Sequence, residues 1–121
     1  MTEIINSKLY DLEERTFKFA QSVRVFIREL PRTISNIEDG KQLIRSSGSI
    51  GANYIEANES LSRKDFIMRI KICRKEAKES IYWLKLLDVN ESVNFESKRS
   101  NLIKEAVELM KIFGSILEKS K

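Results

Sequence analysis

Between Gln42 and Leu61 the chain runs QLIRSSGSIGANYIEANESL, a segment with the repeat of a helix but with side chains too small and too polar for an ordinary core helix. At about 100° per residue, Leu43, Ser47, Ile50, Tyr54, Ala57 and Leu61 fall on one stripe, which predicts a buried seam. Turned from it by about a third of a circle, Ile44, Gly48, Gly51 and Ile55 form a second stripe, glycines between isoleucines. A third stripe gathers Gln42, Ser46, Ser49, Asn53 and Ser60, neutral groups suited to a polar ladder between helices. A glycine inside a helix costs up to about 1 kcal/mol relative to alanine, so this pair implies a close helix contact that offsets the loss. The contact is either a neighbouring helix of the same subunit or a second copy of the chain. A helix with two apolar sides has more to bury than one partner covers, and the Ile44–Ile55 stripe is therefore assigned to a subunit interface.

The rest of the composition fits a helical protein. A chain of 121 residues is long enough for one core but not two. With 41% apolar and 33% charged residues, four glycines and one proline, it resembles a helical bundle more than a sheet or a disordered chain. No apolar run reaches the roughly 20 residues needed to span a bilayer, and the start MTEIINSKLYDLEERT lacks the basic and apolar parts of a secretion signal. A cytoplasmic protein without membrane contact is expected. The single cysteine, Cys73, excludes an internal disulfide and sits among apolar positions, where a buried inert thiol is expected. Histidine is absent, which removes the commonest general base and the commonest metal ligand. A di-iron bundle needs Glu-x-x-His pairs, and this chain offers only Glu76 and Glu79, so neither metal nor cofactor is expected.

Taken in order, residues 1–6 read as a frayed leader, followed by four helices over about 7–30, 37–60, 63–87 and 97–118 within one domain spanning 1–121. In the first helix Leu9, Leu12, Thr16, Phe19, Val23, Phe26 and Leu30 recur at helical spacing until Pro31 stops the pattern. Ser35 or Asn36 can cap the second helix, and Ser62 with Asp65 forms a capping arrangement for the third. The third helix has a core stripe of Phe66, Ile70, Cys73, Ala77, Ile81 and Leu84, and the fourth faces Leu102, Ala106, Leu109, Phe113 and Ile116 inward. Short links between four helices imply an all-α, antiparallel up-down-up-down bundle.

The third helix also carries the charge. Seven lysines and arginines between residues 63 and 78 face two acids, a local charge of +5. Lys64, Lys71, Lys75, Lys78 and Lys85 share its far side, with Tyr82 inside the band. Between core and lysines lies a second apolar strip, Met68, Ile72, Trp83 and Leu86, which a lone subunit would leave wet and which therefore joins the expected interface. Lysines on a helix are ordinarily a solvated face. Copies assembled side by side would pool their charge into a field suited to phosphate backbones. Glu56, Glu76 and Glu79, with Ser46, Ser49 and Asn53, are expected to form a buried polar network in which the glutamates meet Arg45, Arg69 or Arg74 and fix register.

The runs LEERTFKFAQSVRVFIRELP, QLIRSSGSIGANYIEANES and DFIMRIKICRKEAKESIYWLKLL strongly resemble the bacterial four helix bundle proteins, also called 23S rRNA-intervening sequence proteins. The resemblance extends to about Leu87, and its most specific part is Arg-Ser-Ser-x-Ser-Ile-x-Ala-Asn-Tyr-x-Glu-Ala with the later Tyr-Trp-Leu; the fourth helix matches only in type. It implies a ring-shaped homopentamer whose reading frames often interrupt large-subunit ribosomal RNA genes. The family is similar in turn to the accessory variability determinant of diversity-generating retroelements, a basic pentamer that binds nucleic acid and a reverse transcriptase. The leading expectation is a non-enzymatic homo-oligomer that binds RNA or DNA nonspecifically through the five lysines named above. The alternative is a scaffold that recruits a protein partner such as a polymerase. A hydrolase built on Glu76 and Glu79 lacks a base, a phosphate loop or a metal and ranks last.

Overall fold

Four α-helices carry almost the whole chain: α1 (Thr2–Glu29), α2 (Ile34–Asn58), α3 (Arg63–Leu86) and α4 (Val93–Lys119). The computed structural model describes the backbone of residues 2–121 and the side chains of residues 12–121, and among these there is no strand. α2 packs on α3, α3 on α4, and α1 on both α2 and α4, which makes a four-helix bundle.

Hydroxyl caps set three of the helix starts. Ser62 Oγ accepts from the Asp65 N–H at 3.1 Å, the arrangement that the sequence predicts. α2 begins at Ile34 rather than 37, because its cap is Thr33, whose Oγ1 accepts from the Asn36 N–H at 3.1 Å. Neither Ser35 nor Asn36 takes that role. Asn36 is buried, and its side-chain amide donates to the carbonyls of Pro31 (3.0 Å) and Asp88 (2.9 Å) while its Oδ1 accepts from the Asp88 N–H (2.8 Å), tying the α1–α2 link to the α3–α4 link. α4 begins at Val93, not 97, under the cap of Ser92 Oγ on the Phe95 N–H (3.1 Å). The turn before it places Asn90 and Glu91 at φ 54° and 58°, and Asp88 Oδ1 accepts from the Asn90 N–H at 2.8 Å. Phe95, drawn into the helix by this earlier start, meets Phe26 edge to face at 6.4 Å. α1 begins at Thr2 instead of Ser7, so the expected frayed leader is not what the backbone forms; the side chain of Leu9 lies outside the described residues.

The core follows the helical stripes. Leu12, Thr16, Phe19, Val23 and Phe26 of α1 bury against Leu43, Ile50 and Tyr54 of α2, Ile70, Cys73, Ala77 and Leu84 of α3, and Leu102, Ala106, Leu109 and Phe113 of α4. The seam of α2 ends at Ala57: the helix stops at Asn58, so Leu61 falls outside it and is fully exposed. Tyr54 packs its ring 5.9 Å from Phe113, and burial raises its phenol pKa against the opposing hydrogen bond with Asn58. Burial likewise pushes the Cys73 thiol up to about 12, and its S–H donates to the Ile50 carbonyl at 3.4 Å, as an inert interior thiol should.

The close approach implied by the glycines lies inside one chain. A Cβ on Gly51 would stand 2.9 Å from Thr16 Oγ1 and 3.3 Å from Thr16 Cβ, so α1 is the helix that Gly51 admits, and its assignment to an interface between copies is corrected. Thr16 cannot swing away at no cost, since its hydroxyl donates to the carbonyls of Leu12 (2.9 Å) or Glu13 (3.0 Å). Gly51→Ala should therefore destabilise the fold by about 1–3 kcal/mol, although alanine is the better helix former. Adding Thr16→Ala should recover most of the loss. Thermal unfolding of the single and double variants checks this, and an unchanged or raised midpoint for Gly51→Ala alone would refute it.

Candidate functional site

α3 separates its charges by side. Its interior carboxylates, Glu76 and Glu79, turn toward α2, where Arg45 meets Glu79 at 2.8 Å and Glu76 at 3.8 Å; Glu76 is only 7% exposed. Trp83 completes the group by donating its indole N–H to Glu79 Oε2 at 3.1 Å. With these acids drawn inward, the lysines opposite them have no carboxylate within reach on their own helix. Lys64, Lys71, Lys75, Lys78 and Lys85 are all exposed, and among the described residues none of them forms an ion pair. Four lysines elsewhere do pair, whereas Lys104, Lys111 and Lys119 of α4 are also exposed and without an ion pair among the described residues. Lys18 pairs with Glu14, Lys41 with Glu38, Lys98 with Glu29 and Lys121 with Glu118. Like charges three or four residues apart, such as Lys71, Lys75 and Lys78, repel by a few tenths of a kcal/mol per pair. The band is thus an electrostatic cost to the isolated fold and a ready surface for an extended anion.

Tyr82 stands within this band, 58% exposed, with its ring edge-on to Trp83 at 5.0 Å and 75°. Along the flank of the band, Met68 and Leu86 are 45% and 47% exposed, while Ile72 and Trp83 are half-buried, Trp83 against the core. On α2, Ile55 is exposed, but Ile44 is half-buried and lines a surface hollow with Ile27 and Ile37, and Gly48 faces the Arg24 guanidinium, 3.4 Å from where its Cβ would stand. The residues assigned to one interface thus divide between exposed Met68, Leu86 and Ile55, half-buried Ile72 and Trp83, and a set beneath α1, Ile44, Gly48 and Gly51.

The polar network forms in two pieces. Ser46 and Ser80 share a buried hydroxyl contact at 2.8 Å, and Ser80 also donates to the Glu76 carbonyl at 2.9 Å. Nearer the other end of α2, Asn53 donates to Ser49 Oγ at 2.9 Å and accepts from Arg69 at 3.0 Å. Arg69 thus meets an amide rather than a glutamate. Glu56 is exposed, and its inclusion among the buried residues is corrected: it lies on the side of α2 turned from both neighbours. Ser80 was not singled out in the sequence, although its position four residues after Glu76, on the inner side of α3, was the available signal. Between α1 and α4, Arg15 donates from Nε and Nη2 to the two carboxylate oxygens of Glu105 at 3.0 and 2.7 Å. Among the described residues no group of three His, Cys, Asp or Glu could hold a metal ion, and no helix is long and apolar enough to cross a membrane.

Residues 9–115 match the family described as 23S rRNA-intervening sequence protein. Among solved structures, one similar chain is a protein of unknown function from the S23 ribosomal protein family of Bacteroides thetaiotaomicron, 32% identical, with the match covering 92% of this chain and 98% of that one at a TM-score of 0.76. No curated protein matches.

Proposed function

This chain belongs to the 23S rRNA-intervening sequence protein family, and from that premise we propose a non-enzymatic, cytoplasmic homo-oligomer that holds RNA or DNA by its phosphates without reading base sequence. One observation carries the reading: five lysines of α3 share one side of the helix, all exposed and none in an ion pair among the described residues, while its acids Glu76 and Glu79 turn to Arg45. Lys64, Lys71, Lys75, Lys78 and Lys85 are the proposed phosphate contacts.

Within one subunit the helices run up-down-up-down. In support, contacts between helices pair residues in opposite order: Thr16 with Gly51 and Ile27 with Gly40, Arg45 with Glu79 and Asn53 with Arg69, Arg15 with Glu105 and Glu29 with Lys98. The exposed strip around Met68 and Leu86 then meets a second copy. A contact between unlike faces closes into a ring when its rotation allows, and resemblance to the family suggests five copies. Each chain adds a net +4 to the assembly.

Titration of a labelled RNA at about 50 and 200 mM salt tests the reading. Five phosphate contacts predict an affinity about 100-fold weaker at the higher salt; no binding at the lower salt would end the proposal. A second reading, a scaffold that recruits a protein such as a polymerase, draws on the same apolar strip. It would be favoured by a pull-down that survives reversal of the lysines and fails after Leu86→Asp.

A further inference from the structure

The lysine band contains one residue that phosphate binding alone does not need. Tyr82 follows Lys78 by four residues and precedes Lys85 by three, which places its ring on the same line as their ammonium groups. It is more than half exposed, yet its ring leans edge-on against Trp83, whose indole is itself held by Glu79. A ring braced in this way loses little conformational freedom when something stacks on it. In a duplex the faces of the bases are covered by their neighbours, and a ring set among phosphate contacts would meet only sugar and phosphate. A single strand can follow a row of lysines with its backbone and turn a base onto the ring.

Resting on the phosphate-binding reading above, we infer that Tyr82 is a base-stacking platform and that the α3 surface selects single-stranded over double-stranded nucleic acid. The lysines supply affinity for any polyphosphate chain; Tyr82 supplies the preference between forms. Tolerance of sequence follows, because every base offers a face to stack.

The test compares a labelled uridine oligonucleotide of about 20 nucleotides with an RNA duplex of the same length at about 50 mM salt. Wild type, Tyr82→Ala and Tyr82→Phe are titrated, and the native mass of each is measured. Expected are tighter binding of the single strand by wild type, a loss of about 10-fold on that strand for Tyr82→Ala, near-constant duplex affinity, and retention by Tyr82→Phe. Equal losses on both nucleic acids, or no loss on the single strand, would overturn the stacking role while leaving phosphate binding in place. A lower mass for Tyr82→Ala would also overturn it, by making the ring a contact between copies. Failure of wild type to bind either nucleic acid defeats the reading beneath it as well.

Discussion

Replacing Lys71, Lys75 and Lys78 together by glutamate is expected to weaken RNA binding by about 1,000-fold or more at about 50 mM salt. Three phosphate contacts are lost, and three anionic groups take their place in the same line. The fold should not suffer. All three positions are exposed and none forms an ion pair among the described residues, so the change in stability should stay within about 0.5 kcal/mol. Reversal of Lys18, Lys41 and Lys121 is the matched control: it changes net charge equally but acts at lysines already paired with Glu14, Glu38 and Glu118. Fluorescence anisotropy with a labelled RNA reads both triple variants. If the two lose affinity equally, net charge rather than the α3 surface governs binding; if neither loses it, the surface has no such role.

A second large effect is expected from Met68→Asp with Leu86→Asp. Both side chains are nearly half-exposed in the single chain, so carboxylates there remain hydrated and α3 keeps its core contacts. At a contact between copies the same carboxylates would be buried without a partner, at about 3 kcal/mol or more each. The assembly should fall to single chains of 14.1 kDa with helical circular dichroism unchanged. RNA affinity should fall with it, since the bands of neighbouring copies would no longer act on one strand. An unchanged mass for the double variant would place the contact elsewhere.

Much of the bundle was legible because helical periodicity is a local property. The core stripes of α1, α3 and α4, the stop at Pro31 and the cap at Ser62 follow from spacing and side-chain chemistry within a few residues. Most of what failed depended on other helices. Gly51 announces a close approach, but only the packed structure identifies Thr16 as the group that fills the space. Asn36 looks like a cap, since asparagine favours that position; its bonds to Asp88 cross 52 residues and leave no local trace. The early start of α4 was hidden by DVNESVNFES, whose polar letters suggest a loop throughout although Ser92 caps a helix within it.

The candidate site divides in the same way. Exposure of the α3 lysines could be read from their spacing opposite the core. Their lack of partners could not, because it depends on Glu76 and Glu79 turning to Arg45 on another helix. Glu56 illustrates the converse: a glutamate on an informative helix, placed by the sequence among buried groups, stands in solvent because no neighbouring helix covers its side of α2.

The most direct test is the mass of the unmodified protein in solution, followed by sedimentation across a wide range of concentration. If copies share the Met68–Leu86 strip and thereby pool their lysine bands, the mass is a fixed multiple of 14.1 kDa that persists on dilution into the micromolar range. A particle of 14.1 kDa at every concentration would contradict it.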